Sequence, residues 1–165
     1  MRGRNYRHPK GQAYTKGQYI HGSPSLKISR FTMGDTKTKY AHRVSLLSDN
    51  AVQIRHNALE AARVAANKVL ADNLGETGYV LNLRVYPHNV LRENRMIATA
   101  GADRLQEGMR RSFGKPTSRA ARVNPDQAIL SIDVNESAIE YAKNALKIGA
   151  GKLPTTCRLA IERLL

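Results

Sequence analysis

The run AILSIDVNESAIEYAKNALKIG, Ala128 to Gly149, decides the fold class. In AILSIDV, the residues Ala128, Leu130, Ile132 and Val134 stand at every second position, with polar Ser131 and Asp133 between the later ones, which is strand spacing. Beyond Asn135 the period changes. Ile139, Ala142, Ala145 and Leu146 recur three and four residues apart, the stripe of an amphipathic helix. Asn135 suits an N-cap, Lys147 suits the last turn, and Gly149 reads as the stop.

The same two periods recur upstream. Leu26 to Met33 and His42 to Leu47 alternate as strands do. Ser48-Asp49 reads as a helix cap before NAVQIRHNALEAARVAANKVLADN. There Val52, Leu59, Ala62, Ala66 and Val69 share a stripe, with Ala58, Ala65 and Leu70 beside it, and the alanine-rich face predicts close packing on a sheet. Leu74-Gly75 ends that helix. In GYVLNLRVYP, Tyr79, Leu81, Leu83 and Val85 face one way, Asn82 and Arg84 the other, and Pro87 stops the strand. Val90 to Ala98 is a weaker extended segment. Thr117 to Val123 reads as a strand, Asn124-Pro125-Asp126 as a turn, and TTCRLAIER as a last strand with Cys157, Leu159 and Ile161 on one face. The expected order is β-β-α-β-β-β-β-α-β. Without strict βαβ alternation this is α+β, with two main helices on one side of a mostly antiparallel sheet.

Length and charge bound the function. The 165 residues predict a single domain, 1–165, with a basic N-terminal arm at 1–25 and a globular body at 26–165. Lys plus Arg number 27 against 13 Asp plus Glu, a net charge of +14. A domain this basic repels itself until an anionic partner neutralises it, and nucleic acid is the commonest such partner. No apolar run is long enough to span a bilayer, and no signal-peptide core follows Met1, so a cytosolic protein is expected. The helix after Asn135 mixes Lys143 and Lys147 with Glu136 and Glu140, unlike a membrane-surface helix. The lone Cys157 reads as a small hydrophobe on an apolar strand face.

Catalytic signatures are missing. GAGK at Gly149–Lys152 has Leu146 and Leu153 where a phosphate loop needs Gly and Ser or Thr. The five histidines lack metal spacing, and no cofactor site emerges. Asp103 and Glu107 lie among Arg104, Arg110 and Arg111, which suits local ion pairs. An RNA-modifying enzyme would need a constellation that these residues do not supply.

Two basic, glycine-punctuated segments remain. The arm carries Arg2, Arg4, Arg7, Lys10 and Lys16 with Tyr6, Tyr14 and Tyr19, and no acid precedes Asp35. It reads as a segment ordered by its partner. The second, AGADRLQEGMRRSFGKP (100–116), is too long for an ordinary connection. From Gly108 to Pro125 the charges are Arg110, Arg111, Lys115, Arg119 and Arg122, with no acid among them. Arginine contacts phosphate bidentately and stacks on bases, and glycine lets backbone approach a crowded ligand. Leu105, Met109 and Phe113, four apart, suggest a short helix in the loop. Gly108 weakens it by about 1 kcal/mol relative to alanine. An extension of roughly 25 Å, mobile without its partner, is expected. No helix-turn-helix reading face, aromatic RNA-recognition signature or KH loop is present, so structured RNA is the expected target.

The segments ALEAARVAANK, VYPHNVLRENRM and YIHGSPSLKISRFTMG, together with AGADRLQEGMRRSFGKP followed by ARV, resemble the large-subunit ribosomal protein family called L-ten-e in archaea and eukaryotes, the counterpart of bacterial L-sixteen. The likeness spans nearly the whole chain, which ends without the longer tail of eukaryotic members. It implies an α/β-hammerhead-like fold and a non-enzymatic structural role in the cytoplasmic large subunit. It implies binding, as a monomer, to large-subunit rRNA, with 5S rRNA and neighbouring ribosomal proteins as further candidate partners. It also implies shaping of the aminoacyl-tRNA site, with the loop reaching toward the peptidyl-transferase centre and tRNA. Arg104, Arg110, Arg111, Phe113, Gly114 and Lys115 are carried over on the loop motif. Arg92 and Arg95 in the VYPHNVLRENRM run, Arg119, Arg122 and the arm cations complete the expected RNA-binding set.

Overall fold

A computed structural model describes residues 3–7, 11–94 and 108–164, with Arg4 as backbone only. In chain order the elements are β1 (Thr32–Gly34), β2 (His42–Ser48), β3 (Val52–Arg55), α1 (His56–Leu74), β4 (Val80–Leu83), β5 (Asn89–Glu93), β6 (Lys115–Val123), β7 (Ala128–Val134), α2 (Ile139–Ala150) and β8 (Cys157–Arg163). Every described strand pairing is antiparallel. The strands form two sheets rather than the single one expected. The larger has the order β1-β4-β7-β2-β8 and the smaller β3-β6-β5. The class is α+β, and no helix is long and apolar enough to cross a membrane among the described residues.

The run that decided the class behaves largely as its spacing predicts. Leu130, Ile132 and Val134 are fully buried in the core, as are Ala142, Ala145 and Leu146. Two details differ. Asn135 makes no side-chain cap; it precedes a 3-10 turn, Glu136–Ala138, and Ala138 N–H donates to its carbonyl. Gly149 does not end α2 but lies buried in its last turn. A Cβ there would stand 3.4 Å from Ala62 O and 3.7 Å from Ala66 Cβ, so at Gly149 α2 packs closely against α1. The alanine face of α1 packs on this helix as well as on strands. α2 in turn covers β2, β7 and β8, while α1 also touches β3 and β6.

Two elements depart from the sequence reading. Val52–Arg55, expected inside the first helix, is strand β3, pairing Val52 with Val123 and Arg55 with Ala120. Ser48 therefore ends β2 and Asp49 opens the bend after it, with Ser48 Oγ donating to Asn50 O at 2.8 Å, and α1 begins at His56 without a side-chain cap. Of the expected strand Leu26–Met33, only Thr32 onward forms β1. The reason lies on α1. Ser29 donates through N–H and Oγ to the Glu60 carboxylate, Arg63 donates to Ser29 Oγ, and Lys27 N–H points to His56 Nδ1 at 3.4 Å. Donors that a ladder would use go to helix side chains instead.

Gly149→Ala and Gly149→Leu separate helix propensity from helix approach. The alanine variant should melt within a few degrees of wild type, because its Cβ meets ordinary contacts. The leucine variant overpacks the helix pair and should lose about 1–3 kcal/mol in chemical denaturation. Equal stability of the two would remove the close approach as a constraint.

Candidate nucleic-acid interface

The small sheet carries four of the expected cations, Arg92, Lys115, Arg119 and Arg122. β6 is its central strand, between β3 and β5. Register puts Gln53 opposite Arg122, Arg55 opposite Ala120, Asn89 opposite Ala120 and Lys115 opposite Glu93. Pleating sends Val52, Ile54, Ala121 and Val123 into the core and turns Gln53, Asn89 and Arg122 outward. Among its residues, Arg55, Arg92, Lys115, Arg119 and Arg122 face a single acid, Glu93. Arg7, Lys16, Arg110, Arg111, Phe113 and Lys115 are exposed around it.

The outward face is not bare. The described part of the N-terminal arm lies across it. Gln53 Nε2 donates to Asn5 O at 3.0 Å and Arg7 O at 3.1 Å, and its Oε1 accepts from Asn89 Nδ2. Asn89 Oδ1 accepts Tyr14 N–H at 2.8 Å, and Tyr14 O accepts Val90 N–H. Arg122 donates to Gly11 O at 2.6 Å and Gln12 O at 3.0 Å. The Arg92 guanidinium sits 4.5 Å above the Tyr14 ring, a cation–π contact. Arg7 bridges to Val52 through backbone. These arm residues have intramolecular partners, in contrast to the expectation of a segment ordered only by its partner. Gln53 and Asn89, 4% and 5% exposed, are the buried polar pair that the arm is tied to. Neither was singled out in the sequence, where Gln53 fell inside the expected first helix and Asn89 in the run after Pro87.

Arg119 reaches the other way, donating to Ser23 Oγ at 3.3 Å, and Arg55 donates to Ser118 Oγ at 3.2 Å. Below them lies His56, which is buried. Burial first, then the charges of Arg55, Lys27 and Arg119, push its pKa below the usual histidine value.

The long connection starts and ends on this sheet. It runs from β5 to β6, neighbouring antiparallel strands, so its two ends stand side by side. Lys115 and Pro116, placed in the loop from sequence, already belong to β6. Gly114 joins the ends: its φ is +94°, and a Cβ would stand 2.7 Å from Glu93 N. That gives Gly114 a packing role that needs no RNA. Residues 108–113 form consecutive turns rather than a helix, with Ser112 N–H donating to Met109 O and Gly114 N–H to Arg111 O. Met109 and Phe113 are 85% and 83% exposed there, beside Arg110 and Arg111. Arg2, Lys10, Arg95, Arg104 and Leu105 lie outside the described residues.

Cys157 is half-buried on edge strand β8, and burial raises its thiol pKa. It faces the core with Leu159, while Ile161 on the same side is exposed at the sheet edge.

Fold and site together define a small basic α+β protein that folds its own arm across a cation-bearing sheet. A family profile described as "Ribosomal protein L16p/L10e" matches residues 9–160. The chain belongs to that family. A protein of Staphylothermus marinus called "Large ribosomal subunit protein uL16" is 50% identical over 161 residues, covering 98% of this chain and 92% of that protein. A protein of the same name from Hyperthermus butylicus is 52% identical over 151 residues, covering 92% and 84% respectively. One from Metallosphaera sedula is 50% identical over 164 residues, covering 98% and 94%.

Gln53→Ala should release the arm while the body stays folded. Limited proteolysis between Gly11 and Tyr19 should accelerate at least several-fold, with a modest fall in melting temperature; unchanged cleavage would show that the arm is held elsewhere. His56 makes a pH prediction of definite sign. Its folded pKa is depressed, so the unfolded chain binds the extra proton, and stability falls as pH drops below about 6.5. His56→Gln should flatten that part of a stability–pH profile.

Proposed function

We propose that this chain is a structural, non-enzymatic constituent of the large ribosomal subunit in the cytoplasmic ribosome, bound to large-subunit rRNA and neighbouring ribosomal proteins. Family membership supports the ribosomal role. The observation that carries the RNA contact is the small sheet, where five cations stand against one acid and the loop begins and ends. Met109 and Phe113 stand outside the hydrophobic core of the described residues and are strongly exposed, which suits contact with a partner surface.

The arginines divide by task. Arg92, Arg119 and Arg122 hold the arm and the Ser23 segment in place, and their charge still adds to the local field. Arg7, Lys16, Arg110, Arg111, Phe113 and Lys115 face solvent and are the direct RNA-contacting set, joined by Arg2, Arg4, Lys10, Arg95 and Arg104 from the segments around them. The loop carries Phe113 and its arginines toward the peptidyl-transferase centre and tRNA. The protein thereby helps shape the aminoacyl-tRNA site, with 5S rRNA among its neighbours.

Counterion release supplies the test. With six to ten phosphates contacted, affinity for large-subunit rRNA should fall about 10³–10⁵-fold between 50 and 200 mM salt. In extracts the chain should sediment with large subunits at low salt. Arg110→Ala combined with Arg111→Ala should leave the cooperative melt in place and impair tRNA binding or late subunit maturation. Salt-insensitive binding, or loss of the melt in the double variant, would refute this assignment.

A further inference from the structure

Between β4 and β5 the chain runs extended through Arg84, Val85, Tyr86, Pro87 and His88, and burial alternates along it. Val85 is 4% exposed and belongs to the core, and Pro87 is buried too. Arg84, Tyr86 and His88 are thereby held on the solvent side of a backbone pinned at every second residue. Tyr86 is 52% exposed, unusual for so large a ring beside a core. Its orientation is set from behind: the Phe31 ring stacks on it at 5.6 Å between centroids and 25° between planes. Phe31 is itself packed against the core, and its carbonyl accepts Leu83 N–H at 2.8 Å. One side of the tyrosine is braced and about half of the residue is in water.

Of the two flanking residues, Arg84 carries donors with no partner among the described residues, and His88 turns a ring nitrogen outward. Arg84 is anchored through its backbone to Ile129 O and through Nε to Ser131 Oγ at 2.7 Å, so its position is fixed. Its two terminal nitrogens have no partner among the described residues. His88 Nδ1 lies 2.9 Å from Tyr86 O, which turns the rest of the imidazole outward. No acid lies between Val80 and Arg92. An aromatic face supported from behind, with a fixed guanidinium on one side and an imidazole on the other, matches an unpaired nucleotide: a base to stack and a phosphate to neutralise.

We propose that Tyr86, backed by Phe31 and flanked by Arg84 and His88, is a stacking platform for an unpaired base of large-subunit rRNA, a contact separate from the small sheet and its loop. The proposal rests on the reading of the chain as an rRNA-bound ribosomal protein. A bulged or loop nucleotide fits it, because a base inside a duplex presents no free face to a ring.

The experiment uses purified large subunits carrying the wild-type chain, Tyr86→Phe, Tyr86→Leu or Tyr86→Ala, examined by ultraviolet crosslinking and by chemical probing of rRNA. The wild-type peptide containing Tyr86 should crosslink to a nucleotide. Tyr86→Phe should preserve the protection of that nucleotide. Tyr86→Leu keeps apolar packing on Phe31 without the aromatic face, and it should expose the nucleotide as Tyr86→Ala does. Affinity of the isolated alanine variant for large-subunit rRNA should fall about 5- to 100-fold at fixed salt. If all variants enter subunits and leave the rRNA reactivity unchanged, or if the crosslink goes to another protein, the platform is refuted while the ribosomal reading stands. If the wild-type chain does not sediment with large subunits at all, the ribosomal reading falls, and the platform with it.

Discussion

At Gly149 the backbones of α1 and α2 come so close that a Cβ would stand 3.4 Å from Ala62 O. The rest of the molecule is arranged around that approach. α2 is seated on β2, β7 and β8, and its position is set by the large sheet. α1 meets Gly149 of α2 with its small residues Ala62 and Ala66. β3 runs directly into α1, so wherever α1 lies, β3 follows, and β6 and β5 follow β3 through their ladders. A larger residue between the helices would lift the small sheet away from the large one. The position of the cation-bearing face is therefore a consequence of an interface that contains no charge.

The small sheet then faces a conflict that only its own chain resolves. Its outward side holds Gln53 and Asn89, which cannot stay buried without partners, and arginines that repel one another. The N-terminal arm supplies carbonyl oxygens to Gln53 and Arg122, an N–H to Asn89 and an aromatic ring to Arg92. Each contact uses a neutral group to satisfy a donor or an acceptor or to soften a charge, and none cancels a cation. The sheet leaves this arrangement still strongly basic, with Gln53 and Asn89 paired while Arg119 Nε and Arg122 Nε stay buried without a partner among the described residues, which suits a surface that must fold before it meets a polyanion.

Legibility tracked the range of the forces involved. The strand and helix of Ala128–Ala150 and the face Tyr79-Leu81-Leu83-Val85 were readable because period and burial agree within a few residues. Val52–Arg55 was misread as helix because its partner, β6, lies far along the chain and nothing local announces it. Leu26–Phe31 was misread as strand because Glu60, Arg63 and His56 on α1 take up its backbone and side-chain groups. Gly149 looked like a stop signal because its packing neighbour, Ala62, is distant in sequence. The charge of the candidate interface was plain from composition. The division of its arginines between holding the arm and facing solvent was not, since the residue type is the same in both tasks.

By itself the sequence determined the class of fold, the two helices and most of the strands, the excess of positive charge and the family resemblance. These depend on composition, on period and on motifs, all of which are local. The tertiary structure decided that the strands divide into two sheets and that the arm crosses the smaller one. It also decided that the long connection springs from adjacent strands, and that Tyr86 stands braced and half in water. Those outcomes depend on which distant surfaces meet, and hydrogen-bond pairing, close packing and the crowding of like charges select them only once the chain has brought the surfaces together.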